Sequence, residues 1–347
     1  MRRRTLLLGV SGLSGAALIG SASWPAPATA DPFRALEHDL LTPPCHGIPV
    51  ELPGLRTRLA AARTLFQQAR YAEAAAQLHR LLPAALATRH EAAHGDAMAA
   101  AEGQLAELYT LTAELMVKLG NDPLALTTAD RAMQAAQATE DMLTRAGASR
   151  VWAIVLRRAD HADTAQRLVV DNAAALQPDL HRGPDHLSVY GTLLSTAAYT
   201  SAVDGDRDTA RTLVTEAVEA AQRLGADANH RFTAFGPTGV GLYQISIARV
   251  LGDPAAAIET ARHIDPRTIP VVERRARYWS DIARSFHAWG KPEQCYRALL
   301  AAEHASPDEV RYRKPIQRIT MSLLGHPTAK RLPGLQAFAR RTGALSA

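Results

Sequence analysis

Cysteine is almost missing from this chain: its 347 residues hold two, Cys45 and Cys295, far apart in sequence. A CxxC redox or metal site is therefore excluded, and no disulfide framework is implied. Aromatic residues make up only 5%. Lysine occurs four times, as Lys118, Lys291, Lys314 and Lys330, so the basic charge is almost all arginine. No convincing apolar-polar alternation of period two is present, which argues against strands. The G-x-S-x-G elbow, the P-loop and the dinucleotide fingerprint are also absent, which removes the commonest signatures of acyl, phosphoryl and hydride transfer. No apolar run is suited to crossing a bilayer. The one that follows Arg2-Arg3-Arg4 spans about 18 residues and is diluted by Gly9, Gly12, Gly15 and Gly20.

What is present is alanine, about a fifth of the chain, within a hydrophobic content of 47%. Alanine is the best helix former. Net charge is +5, from 39 basic and 34 acidic residues. Three of the basic residues are Arg2, Arg3 and Arg4, and residues 1–30 hold no acid, which leaves 36 against 34. So balanced a body carries no bulk signature of nucleic-acid binding. Residues 1–30 match a bacterial signal peptide, with a basic start, an apolar run and Ala28-Thr29-Ala30 as a cleavage site; the paired arginines resemble a twin-arginine signal. The alternative for residues 1–30 is an arginine-led linker. Residues 31–54 form a proline-rich lead-in.

From Leu55 the pattern is helix, short turn, helix. Apolar residues recur three and four apart, as in Leu187, Tyr190, Leu193, Leu194 and Ala197. The clearest unit is 279–307, with Trp279, Ile282, Ala283, Phe286, Gly290, Cys295, Leu299, Ala302 and Pro307 at tetratricopeptide spacings. Ala69, Gly120, Asp160, Gly205, Gly252 and Gly290 mark equivalent turns, at intervals of 51, 40, 45, 47 and 38 residues, each with a small residue five positions later. The fold expected is all-α: a tetratricopeptide-like α-solenoid of about six helix pairs over residues 55–343, with capping helices from 308 onward. Such a stack makes a superhelix with a concave face.

Two motifs invite a chemical reading. His90-Glu91-Ala92-Ala93-His94 has zinc-hydrolase form, because H-E-x-x-H on a helix points two imidazoles at one metal. Gly95-Asp96 ends that helix at once, however, and zinc hydrolysis is only a distant alternative. Gly236-Pro237-Thr238-Gly239-Val240-Gly241 is glycine-rich but follows no strand and holds no lysine, so Pro237 marks a helix start rather than a phosphate loop. No catalytic residue, metal or cofactor is expected. Projecting the repeat register places Arg150, Arg157, Thr192, Ser195, Tyr199, Leu242, Ser246, Arg249, Arg277, Ser280, Arg284 and His287 on the concave face. Five convergent arginines suit an anionic or carboxylate-ended ligand, since guanidinium forks hold carboxylates in pairs of hydrogen bonds. The competing reading pairs these arginines with acids on adjacent helices.

Three stretches carry a family resemblance: Arg182 to Gly191 (RGPDHLSVYG), Asn229 to Thr238 (NHRFTAFGPT) and Glu273 to Arg277 (ERRAR). With the repeats between them, over roughly residues 50–325, they resemble the C-terminal helical-repeat region of Xre-type helix-turn-helix transcriptional regulators. That resemblance implies a cytoplasmic, non-enzymatic sensor domain that binds a peptide or small anionic ligand and forms a homodimer. In those relatives an Asn often follows the Phe-Gly-Pro-Thr run; Gly239 stands here. The DNA-binding domain is not carried over, because residues 31–54 are too short and proline-rich for a helix-turn-helix, so direct DNA binding by this chain is not expected. In several such regulators an Arg-Arg-x-x-Leu-Leu run is an internal joint. The alternative is an exported repeat scaffold for a protein partner, cleaved near Ala30.

Overall fold

Every regular element of the computed structural model is helical; it describes residues 31–44, 47–92 and 94–345. The readings of residues 1–30 as signal or linker, and Cys45, lie outside the described residues. Helix α1 (Pro32–Leu41) comes first. Six helix pairs follow in chain order: α2 (Leu52–Gln67) with α3 (Tyr71–Glu91), α4 (Asp96–Leu119) with α5 (Asp122–Gln137), α6 (Met142–Arg158) with α7 (Ala162–Leu176), α8 (Pro184–Val203) with α9 (Arg207–Leu224), α10 (Pro237–Val250) with α11 (Pro254–Arg262), and α12 (Val272–Ala288) with α13 (Pro292–Ala305). Short helices α14 (Pro307–Arg311), α15 (Lys314–Leu324) and α16 (Leu335–Arg341) complete the chain. The described residues from Pro32 onward form one compact unit.

One local device makes each of the six pairs. The turn residues Ala69, Gly120, Asp160, Gly205, Gly252 and Gly290 all have positive φ, between 56° and 85°. The next N–H in each case (Arg70, Asn121, His161, Asp206, Asp253, Lys291) donates to the carbonyl five residues back, at 2.9–3.0 Å. This is the Schellman closure, which satisfies a carbonyl that the finished helix leaves open. The chain then restarts at once. Asn121, Asp206 and Asp253 accept from the N–H groups of Leu124, Thr209 and Ala256, as N-caps do. Five residues past each turn stands Ala74, Ala125, Ala165, Ala210, Ala257 or Cys295, and every one has 0% exposure. The two helices of a pair approach most closely there, so only a small side chain fits. Burial pushes the Cys295 thiol up to about 12, which keeps it an inert spacer at neutral pH.

The lead-in is more ordered than its prolines suggest. Within 31–54, α1 places Phe33, Leu36 and Leu40 on one face; Leu36 and Leu40 are buried and the helix packs on α3. Pro32 and Pro53 sit where proline is tolerated, in the first turn of a helix.

The row of pairs returns on itself. The first helices α2, α4, α6, α8 and α10 each pack against the next, and α12 comes back against α2. Helices α14 and α15 fasten this seam rather than merely ending the chain. The Tyr71 hydroxyl donates to Glu309 Oε1 at 2.5 Å, and the Tyr71 N–H to Asp308 at 3.2 Å. Lys314 Nζ donates to the Gly120 carbonyl at 2.8 Å, and the Phe33 and Tyr312 rings meet edge to face at 5.1 Å. Lys118 of α4 stands between the buried carboxylates of Glu273 and Glu309. Among the described residues no helix is long and apolar enough to cross a membrane.

Candidate functional site

The first helices of the pairs enclose a cavity of about 240 Å³. Its walls are strongly basic. Lys118 comes from α4, Arg150, Arg157 and Arg158 from α6, Arg249 from α10, and Arg274, Arg277 and Arg284 from α12, with Arg313 at the seam. Facing these nine cations are three carboxylates, Glu114, Glu273 and Asp281. Thr196, Tyr199, Tyr243 and Ser246 supply the neutral polar wall.

Of the residues expected on the concave face, Arg150, Arg157, Tyr199, Ser246, Arg249, Arg277 and Arg284 meet in this cavity. Ser195, Leu242 and Ser280 do not. Ser195 is buried with its hydroxyl bonded to the Gly191 carbonyl at 2.8 Å, Leu242 belongs to the hydrophobic core, and Ser280 is a fully buried residue of α12 outside the cavity lining. Their next neighbours, Thr196, Tyr243 and Asp281, hold the wall instead. On a helix, steps of three and four both stay on one face, and a projected register does not choose between them. Thr192 faces a neighbouring cavity, and His287 reaches Ser322 at 3.0 Å on the surface.

The pairing of the arginines is uneven. Arg150 and Arg63 share Glu114. Arg249, Arg277 and Arg284 share the single carboxylate of Asp281, at 3.5, 3.6 and 3.4 Å, and Ser246 donates to it at 2.5 Å. Arg157 meets no carboxylate among the described residues; it donates to Thr200 Oγ1 at 2.9 Å and lies 4.7 Å over the Tyr199 ring. Arg249 is nine-tenths buried, yet its Nε and Nη2 have no hydrogen-bond acceptor. Burial opposes the ionised form of Asp281, but the three arginines outweigh it and hold the carboxyl well below its usual range. Burial likewise pushes the Tyr243 phenol up, and the guanidinium groups of Arg277, Arg150 and Arg274 override that push and bring it down to about 7. The Tyr199 phenol is lowered too, by Arg249 and Arg284 against its burial. Phenols easier to ionise than in water, in spite of burial, report a positive potential that the protein's own acids leave uncompensated.

A strap covers one flank. It joins α9 to α10, and Arg231, Phe232 and Ala234 in it have φ of 50°, 56° and 50°. Non-glycine residues hold that conformation only where their surroundings impose it. The Asn229 and Gln67 amides bond reciprocally at 3.0 and 2.8 Å. Arg231 reaches Glu107, Asp141 and Thr144 at 3.0, 3.2 and 2.9 Å. Two glycines let the strap lie flat. A Cβ on Gly191 would stand 2.0 Å from the Phe235 ring, and one on Gly239 would stand 2.6 Å from the Ala234 carbonyl. Gly239 thus has a packing reason of its own.

The three stretches that carry the family resemblance converge here. Asn229 to Phe235 build the strap, Asp185 meets His230 at 3.0 Å, and Glu273, Arg274 and Arg277 line the basic cavity. The cavity residues that the projected register missed include Tyr243, Thr196, Asp281, Glu273, Glu114, Lys118, Arg158, Arg274 and Arg313. Asp281 has a local signal, standing four residues after Arg277 and three before Arg284. The pairing of Lys118 with Glu309 spans 191 positions and has none.

The zinc-like motif divides. Helix α3 ends at Glu91, Ala92 is extended at ψ 129°, and Gly95 has φ of 80°. His90 is the last-turn residue and His94 lies beyond the helix, so the two imidazoles share no helical face. Among the described residues no group of three or more metal-ligating side chains is gathered. Comparison of the chain with family models, with curated proteins and with solved structures gives no match.

Proposed function

We propose that this chain is a non-enzymatic sensor domain: a tetratricopeptide-like superhelix, closed on itself, that holds an anionic ligand among the arginines of its first helices. The observation that carries this reading is an unmet demand for negative charge inside the molecule. Among the described residues Arg157 meets no carboxylate, and Arg249, which shares Asp281 with two other arginines, keeps two buried donors without a hydrogen-bond acceptor. A buried donor left unmade costs about 1–3 kcal/mol, more when charged, and a bound anion recovers it. The repeated turns and small crossing residues support the tetratricopeptide-like description. The resemblance to Xre-type regulators supports a regulatory role, in the cytoplasm and as a homodimer.

In this reading the ligand reports its presence through the seam. Lys118, Glu273 and Arg313 border the cavity and also tie α4 to α12 and α14. An anion that draws these cations inward shifts the balance between closed and looser forms, by as much as its affinities for the two differ. The test is titration calorimetry of the full chain with small mono-, di- and trianions at low ionic strength, alongside Arg157→Gln. Binding that weakens at least tenfold in the variant supports the reading. A panel in which no anion binds overturns it.

A further inference from the structure

The basic cavity has a larger neighbour. A second cavity of about 620 Å³ lies between α2, α4, α6, α8 and the strap. Arg150 and Glu114 border both. A hollow of about 10 Å³ borders both, sharing Thr192 and Thr233 with the larger cavity and Tyr243, Arg274 and Arg277 with the basic one. The two cavities differ in chemistry. The larger has Arg56, Arg63, Arg150 and Arg231 facing Glu107, Glu114 and Asp141, and much of its remaining wall is alanine, glycine and leucine. The smaller has nine cations and three carboxylates within about 240 Å³.

We propose that these adjoining cavities take a phosphorylated small molecule, with two or more phosphate charges among Arg157, Arg249 and Arg277 and an uncharged organic body on the side of the larger one. It rests on the reading of the basic cavity as an anion site and names the anion. Three observations select it. With Glu309 on Lys118 and Arg313 and Asp122 on Arg158, nine cations meet five acids, so one carboxylate leaves most of the excess in place. The space is small, and phosphate concentrates charge where a polycarboxylate of equal charge spreads it over a longer skeleton. The donors of Arg249 without a hydrogen-bond acceptor among the described residues are Nε and Nη2, the two N–H groups along one edge of the guanidinium; Nε stands 3.5 Å from Asp281 Oδ1, and the edge has the spacing of two oxygens of a single phosphate. The lowered Tyr243 phenol fits an excess that a single charge does not cancel.

Titration calorimetry on the full chain at fixed ionic strength tests this, with inorganic pyrophosphate, a nucleoside diphosphate, citrate and a peptide ending in two glutamates as probes. Pyrophosphate and the nucleoside diphosphate are expected to bind, the latter at least tenfold more tightly through its body. At pH 8 both are expected to lower the tyrosinate absorbance near 295 nm, because a bound anion raises the Tyr243 pKa. Arg249→Lys keeps the charge and loses the edge, and is expected to weaken both at least tenfold. Arg157→Gln is the second variant should Arg249→Lys not fold. Gly147 lines the larger cavity with nothing within 4 Å of an added Cβ. Gly147→Trp is therefore expected to fill that cavity and weaken the nucleoside diphosphate alone. Binding of citrate or the peptide without pyrophosphate overturns this inference and leaves the anion site standing. Equal binding of pyrophosphate and nucleoside diphosphate overturns the placement of the body. No binding by any probe overturns both the inference and the function it rests on.

Discussion

Tyr243 is the residue whose chemistry most directly reports the site. Its phenol stands near 7 in the fold and near 10 in an unfolded chain. The folded value is the lower one, so the ionised phenolate favours the fold. That contribution is complete above about pH 10, shrinks as pH falls towards 7, and is absent below. The stability difference between the native chain and Tyr243→Phe is therefore expected to grow between pH 7 and 10, to the order of a few kcal/mol. Urea melts at four pH values measure it; a flat difference would show that the arginines are screened. The turn at Asp160 gives a second single-residue prediction. Its φ of 62° suits glycine better than aspartate, and Asp160→Gly is expected to stabilise the chain by about 0.5–1 kcal/mol, read from the urea midpoint.

These residues also show what is readable in a sequence. The six turns and the six small residues after them are local: a positive φ and a tight crossing each demand a particular kind of residue at a fixed offset, so the pattern survives divergence elsewhere. On α6, α8, α10 and α12 the cavity was readable to within one position, and on α4 and at the seam it was not. Arg150, Arg157, Arg249, Arg277 and Arg284 lie where a projected face puts them, while Ser195, Leu242 and Ser280 give way to Thr196, Tyr243 and Asp281. The phase of a helix is set by what packs behind it, and that partner lies in another repeat.

Between elements, the strap and the seam govern behaviour. The strap's geometry is imposed from outside, chiefly by Arg231 on α4 and α6 and by Asn229 on α2. Arg231→Ala removes half of that hold. Amide exchange at Phe232, Thr233 and Ala234 is expected to accelerate at least tenfold while α8 and α9 stay protected; unchanged exchange would mean that Gly191 and Gly239 alone keep the strap down. At the seam, Lys118 bridges two buried carboxylates, each of which also meets one arginine, Arg274 or Arg313. Lys118→Met leaves both without it and is expected to cost about 3–5 kcal/mol by denaturant melt. Much of that loss is expected to return on lowering the pH, because protonation relieves the repulsion. Neither device was readable in advance. A strap that needs three non-glycine residues at positive φ looks like an ordinary polar loop, and the partners across the seam are joined by no periodicity.

At the scale of the whole molecule, closure separates two classes of contact. Within each pair the two helices are neighbours in sequence. The seam joins Tyr71 to Glu309, 238 positions apart, and closing so long a loop carries an entropic cost of about (3/2)RT ln n. Local pairs are therefore expected to form first and the seam last. The basic cavity needs α4, α6, α10, α12 and the start of α15 together, so it comes into being only at that final step. In refolding from urea, helical signal by far-ultraviolet circular dichroism is expected to recover before the tyrosinate absorbance of Tyr243, with the gap absent in Tyr243→Phe. Coincident phases would show that the seam forms with the repeats. A chain cut short before Arg313 is thus expected to hold nearly all of the described helices and yet lack the basic cavity, so that the last short helices work as a clasp whose few residues decide whether the long ones face a common interior.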